Sequence, residues 1–201
     1  MSILELGTAY GDSTIWLADA AHATGGKVHS LSTSQNEVEI ADNGGRDRRL
    51  SSVTGQFFTL KGRRRAAICE LLSLEISQRK VDHAREQLTR SGLAEFVEFH
   101  VGSALEPVPR LAGPFDFVLL DLWKDLYATC FELFHAKLAP GALVAADNML
   151  FPPSARADAV EYQALVRAKP DMDSVLLPVG NGVELSRKRG DEWEEKGINE
   201  W

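Results

Sequence analysis

The stretch Leu4-Glu5-Leu6-Gly7-Thr8-Ala9-Tyr10-Gly11-Asp12-Ser13-Thr14-Ile15-Trp16-Leu17-Ala18 decides how the chain is read. Ile3 to Leu6 is a short apolar run of strand character, ended by a Gly-x-x-x-Gly turn. A helical pattern follows, with Asp12 or Ser13 available as N-cap and Ile15, Trp16, Leu17 and Ala20 supplying its apolar face. Strand, glycine turn and helix in that order form a nucleotide-cofactor arrangement. Glycine lets the backbone turn tightly and approach a ligand, and the start of a helix offers free N–H groups. The spacing differs from the Gly-x-Gly-x-x-Gly of dinucleotide binders, which disfavours a nicotinamide-dependent dehydrogenase.

Working outward, short apolar runs alternate with helical patterns, as in an α/β chain with a mostly parallel sheet. Gly25-Gly26 ends the first helix, and Lys27-Val28-His29-Ser30 begins a second strand. Ile76–Ser91 has helical spacing through Val81, Ala84 and Leu88, and Phe96–Val101 alternates like a strand. Phe115–Leu120 and Ala142–Ala146 are nearly continuous apolar strands of the kind buried on both faces. Between them lies a helix through Cys130, Leu133 and Phe134, with Pro140-Gly141 as its stop. A helix near Ala157–Ala168 precedes two runs, Ser174–Val179 and Val183–Ser186, which read as a terminal antiparallel pair around Gly180-Asn181-Gly182. From Lys188 the chain is acidic, poor in apolar residues, and expected to be disordered.

One segment does not fit. Residues 31–73 have no clean period and carry 7 Lys+Arg against 5 Asp+Glu, inside a chain of net charge −7. In this fold class an acid at the end of the second strand, about 20 residues past the glycine turn, holds ribose hydroxyls. Glu75 is the candidate, yet it lies 64 residues after Gly11. Without the 43 residues of the segment that spacing becomes 21, and Ser30 runs directly into Leu74-Glu75. The segment therefore reads as an irregular insertion, and as an unspliced or misjoined piece of the gene. The expected organisation is one domain over 1–187, interrupted at 31–73, with a tail over 188–201.

Composition bounds the function. The chain has 201 residues, 44% of them apolar and 25% charged, and an acidic balance that argues against general nucleic-acid binding. Two cysteines do not make a disulfide scaffold, no apolar run approaches a membrane span, and a cytoplasmic setting is expected. Self-association into a homo-oligomer stays open.

The opening stretch resembles the cofactor loop of S-adenosylmethionine-dependent O-methyltransferases. Asp121-Leu122-Trp123-Lys124-Asp125-Leu126-Tyr127 is similar to the matching segment of the catechol O-methyltransferases, as are Ala146-Asp147-Asn148 and Gly182-Val183-Glu184. The likeness covers Ile3–Ser30 and Leu74–Lys188 in the family's order. It implies a Rossmann-like, doubly wound sheet, with S-adenosylmethionine held by Glu5, Gly7, Gly11, Ser13, Glu75, Ser103, Ala104, Asp121 and Trp123. Asp121, Asp147 and Asn148 supply hard oxygen ligands suited to Mg²⁺. The metal is expected to hold two adjacent hydroxyls of a small catechol-like acceptor. The resemblance makes Lys124 the general base, helped near neutral pH by repulsion from the metal, and has Glu184 accept from the second hydroxyl. The family carries helices before its first strand, whereas here that strand starts at Ile3. The alternative expectation is thus a binding protein that keeps the fold without turnover.

Overall fold

The computed structural model describes residues 1–32, 78–101 and 104–190. Among the described residues seven strands form one sheet: β1 (Ser2–Leu6), β2 (Lys27–Ser32), β3 (Val97–Val101), β4 (Phe115–Leu120), β5 (Leu138–Ala146), β6 (Met172–Leu177) and β7 (Val183–Lys188). Four α-helices of eight residues or more accompany them among the described residues: α1 (Asp12–Thr24), α2 (Gln78–Arg90), α3 (Tyr127–Phe134) and α4 (Arg156–Ala168). The strand order is β3-β2-β1-β4-β5-β7-β6. The first five strands are parallel, and β7 runs antiparallel to both β5 and β6. This is the expected α/β, Rossmann-like, mostly parallel sheet with a C-terminal antiparallel pair. Among the described residues no helix is long and apolar enough to cross a membrane.

Period-two alternation builds the two layers. On one face, Leu4 and Leu6 of β1 join Val118 and Leu120 of β4 and Val144 and Ala146 of β5 beneath α3 and α4. Each fully buried side chain of this kind contributes on the order of 1.5–3 kcal/mol. On the other face, Ile3 and Val28 pack on Leu17 and Ala21 of α1. Val81, Ala84 and Leu88, spaced to fall on one side of α2, are all buried. Trp16 departs from the apolar face expected of α1 and is half exposed.

Three expectations are corrected at their boundaries. Leu31 and Ser32 were assigned to the insertion, but they finish β2: Leu31 pairs with Leu6 and His100, and Ser32 with Val101. Residues 33–77 lie outside the described residues. Pro140-Gly141 does not stop α3, which ends at Phe134; both residues sit within β5. The β4–β5 register shifts between Phe115 and Phe117, opposite this stretch, where proline has no N–H to give the ladder. Finally, Lys188 is not tail but the last residue of β7, paired with Met172, and its ammonium bonds Asp171. Arg189 likewise donates to Asp173 through Nη2 at 2.6 Å.

Candidate active site

In an open α/β sheet, ligands bind beyond the carboxyl ends of the strands where the winding reverses direction. Here that point lies between β1 and β4, because β2 and β3 extend the sheet to one side of β1 and β4 and β5 to the other. The residues that follow β1, β4 and β5 meet there. The Asp121 N–H donates to Leu6 O at 2.7 Å and the Asp147 N–H to Leu120 O at 2.9 Å, so the three strand ends step past one another in register.

The glycine turn is shaped by this closeness. Gly7 has φ +123, and a Cβ there would lie 2.0 Å from the backbone oxygen of Asp121. No side chain fits, so the turn after β1 lies directly against the end of β4. Gly11 adopts the left-handed conformation and is itself the N-cap of α1, with no side-chain cap bond. The expected caps do something else. Asp12 is the first helical residue, whereas the Ser13 and Thr14 hydroxyls donate to the Glu5 carboxylate, Thr14 at 2.7 Å. Glu5 is fully buried, so it holds the first turn of α1 to β1 from within the protein.

Asp121, Asp147 and Asn148 converge. Asn148 Nδ2 donates to Asp121 Oδ1 at 2.9 Å, and the Asn148 N–H donates to Asp147 Oδ1 at 2.7 Å. Asn148 holds φ +56, a left-handed conformation that asparagine tolerates better than most residues. Burial first, and then the neighbouring Asp147 carboxylate, push the Asp121 carboxyl up to about 6, against the opposing pull of Lys124 and the Asn148 bond. Among the described residues no three His, Cys, Asp or Glu side chains form a metal cluster, so the oxygen set here is two carboxylates and one amide. That set suits a hard, oxygen-preferring cation such as Mg²⁺, and positive charge would relieve the cost of ionising Asp121 beside Asp147.

Lys124 stands beside this group, 6% exposed. Its Nζ donates to the Tyr127 hydroxyl at 2.7 Å and to Leu122 O at 3.2 Å. Burial brings the amine down to about 8, although Asp121 and Asp147 favour its charged form. Tyr127 is a residue that sequence reasoning passed over. It is fully buried, accepts from Lys124, and its oxygen lies 2.9 Å from Leu120 O and 3.0 Å from Asp147 O. The available signal was its spacing of three from Lys124 at a helix start. Asn181 was also passed over; its Nδ2 donates to Asn148 Oδ1 at 3.0 Å.

The remaining expected residues are placed differently. Trp123, two residues after Asp121 and one before Lys124, is 38% exposed. Ala104 is fully buried in the core beneath α3 and α4. Glu75 and Ser103 lie outside the described residues.

Glu184 is a correction. It pairs with Ala146 in the β5–β7 ladder, and its side chain turns toward α4. There the carboxylate accepts from Gln163 Nε2 at 2.8 Å, Arg167 Nε at 2.9 Å and the Ser174 hydroxyl at 2.7 Å. It is 0% exposed. A carboxylate so enclosed is not brought to the Asp121–Asp147–Asn148 group and is not presented to an acceptor hydroxyl; it ties α4 to the β6–β7 hairpin.

With this geometry in hand, likeness to known proteins is informative. The chain is 28% identical over 153 residues to a catechol O-methyltransferase of Niastella koreensis, covering 74% of this chain and 49% of that protein. It is 26% identical over 139 residues to caffeoyl-CoA O-methyltransferase 1 of Eucalyptus globulus, covering 59% and 56%. The chain thus spans about half the length of the curated relatives it matches. An O-methyltransferase from Bacillus cereus, solved in complex with SAH, shares the fold at a TM-score of 0.64 and 22% identity, over 94% of this chain and 74% of that one. A family model described as "Methyltransferase domain" matches residues 4–149, and the chain belongs to that family.

Proposed function

We propose that this protein transfers a methyl group from S-adenosylmethionine to a hydroxyl of a small, catechol-like acceptor, with a divalent cation such as Mg²⁺ at Asp121, Asp147 and Asn148. The observation that carries the reading is the convergence of those three oxygen-bearing side chains with Lys124 beside the glycine turn. The names of the catechol and caffeoyl-CoA relatives support the acceptor class, and the neighbours solved with SAH or SAM support the cofactor.

In this reading the turn from Gly7 to Gly11 and the uncapped start of α1 receive the amino-acid end of the cofactor, with Ser13 held in place by Glu5. The family resemblance assigns the ribose hydroxyls to Glu75 and an adenine contact to Trp123. Asp121, Asp147 and Asn148 would hold the cation, which when bound would polarise an acceptor hydroxyl and ease its ionisation. Lys124 as the neutral amine accepts the proton of that hydroxyl, and the Tyr127 hydroxyl fixes where Nζ sits. The rate then comes largely from positioning, since displacement at a sulfonium methyl requires attacking and leaving atoms in line.

The test is transfer of labelled methyl from S-adenosylmethionine to catechol, with Mg²⁺ or with EDTA. Product formed with Mg²⁺ and lost with EDTA supports the reading. Cofactor binding without product favours the binding-protein alternative.

A further inference from the structure

The turn after β5 is clamped by the tip of the β6–β7 hairpin. The Met149 N–H donates to Gly182 O at 2.9 Å and the Leu150 N–H to Asn181 O at 2.8 Å. A third bond is made by a side chain: Asn181 Nδ2 donates to Asn148 Oδ1 at 3.0 Å. Asn148 Nδ2 in turn donates to Asp121 Oδ1 at 2.9 Å. The three side chains thus form a directed chain, Asn181 to Asn148 to Asp121.

The direction is chemically determined. An ionised carboxylate accepts and does not donate, so the Asn148 amide must present its nitrogen to Asp121. Its oxygen then faces Asn181, whose amide nitrogen meets it. Flipping Asn148 alone would set oxygen against oxygen at one end and nitrogen against nitrogen at the other. An amide oxygen has two lone pairs, so Asn148 Oδ1 can accept from Asn181 and still serve a cation. Asn181 itself is exposed at the hairpin tip and contributes nothing to the core. The two backbone bonds from the turn to the hairpin tip, accepted by Gly182 O and Asn181 O, survive truncation of the Asn181 side chain.

We propose that Asn181 is a positioning residue for Asn148: it fixes the rotation of the Asn148 amide so that Oδ1 is aimed for a divalent cation held with Asp121 and Asp147. The assignment rests on the metal-holding reading above. It extends the site to the antiparallel hairpin, which carries no ligand of its own. Partners of this kind, one bond removed from a metal, typically change affinity by about 10–100-fold when lost.

The test uses the full chain and Mn²⁺ as probe, with free Mn²⁺ followed by electron paramagnetic resonance. Asn181→Ala is expected to weaken Mn²⁺ binding about tenfold or more. The S-adenosylmethionine affinity and the metal-free unfolding midpoint should stay at their wild-type values, and saturating Mg²⁺ should restore the maximal transfer rate. Asp121→Asn, as the control, should abolish binding. Wild-type Mn²⁺ affinity in Asn181→Ala overturns the proposal. So does a parallel loss of cofactor affinity and of the unfolding midpoint, which marks a structural role. Failure of the wild type to bind Mn²⁺ overturns the metal reading, and this assignment with it.

Discussion

Replacing Asp121 by Asn should make the metal-free protein more stable at neutral pH. The Asp121 carboxyl is raised from 3.8 to about 6, first by burial and then by Asp147. Its folded-state value lies above its unfolded one, so the native state binds the extra proton between pH 4 and 6. Stability therefore falls as pH rises through that window, and the full penalty is present above it. The shift corresponds to about 3 kcal/mol at 1.36 kcal/mol per unit of pKa. The substitution also removes the attraction that Asp121 exerts on Lys124, and Asp121 is not wholly enclosed, so the net gain expected is about 1–3 kcal/mol. Asn keeps the volume and the acceptor oxygen for Asn148 Nδ2, so the geometry is preserved. Urea unfolding in EDTA from pH 4 to pH 8 reads the effect: the variant should exceed the wild type at pH 7.5 and converge with it near pH 4. Added Mg²⁺ should stabilise the wild type and leave the variant unmoved. A variant less stable than wild type at pH 7.5, or a difference that does not change with pH, would refute the reasoning.

Further expectations concern single side chains. Lys124→Met should lower methyl transfer by roughly 10²–10⁴-fold while cofactor affinity, read by calorimetry, is retained. In the wild type, transfer should rise with pH, reach half its plateau at or somewhat below pH 8 and level off above it as the amine loses its proton, a profile the variant should lack. Gly7→Ala forces a Cβ to within 2.0 Å of the Asp121 carbonyl oxygen in a left-handed conformation. It should cost at least about 1–3 kcal/mol and abolish cofactor binding, as seen by thermal shift with and without S-adenosylmethionine. Glu184→Gln should cost about 1–3 kcal/mol by weakening the bonds to Arg167, Gln163 and Ser174. Activity per folded molecule should remain at the wild-type level, and a selective loss of activity would return Glu184 to the site.

The parallel half of the sheet was legible because its strands are covered on both faces. Phe115–Leu120 reads as an apolar run broken only by Asp116, and its ends coincide with β4. The strand-end acids were legible for the same reason, since an Asp directly after such a run has only the carboxyl edge of the sheet to occupy. Glu184 was misread because a three-residue motif does not reveal which face a strand residue takes. Only the pairing of Glu184 with Ala146 and the approach of α4 decide that. Asn181 and Tyr127 were illegible for another reason. Their roles depend on bonds to Asn148 and Lys124 that exist only once the hairpin and α3 are docked. The β5 boundary was missed because Pro and Gly, ordinary breakers, are accommodated here by a register shift against β4.

The central claim is that Asp121, Asp147 and Asn148 together hold a divalent cation beside the cofactor turn. Anomalous scattering from a crystal grown with Mn²⁺, the cofactor and a catechol tests it most directly. The account predicts one strong peak with Asp121, Asp147 and Asn148 oxygens at about 2.0–2.4 Å. Full occupancy of the cofactor with no peak at these residues, or a peak elsewhere alone, would contradict it.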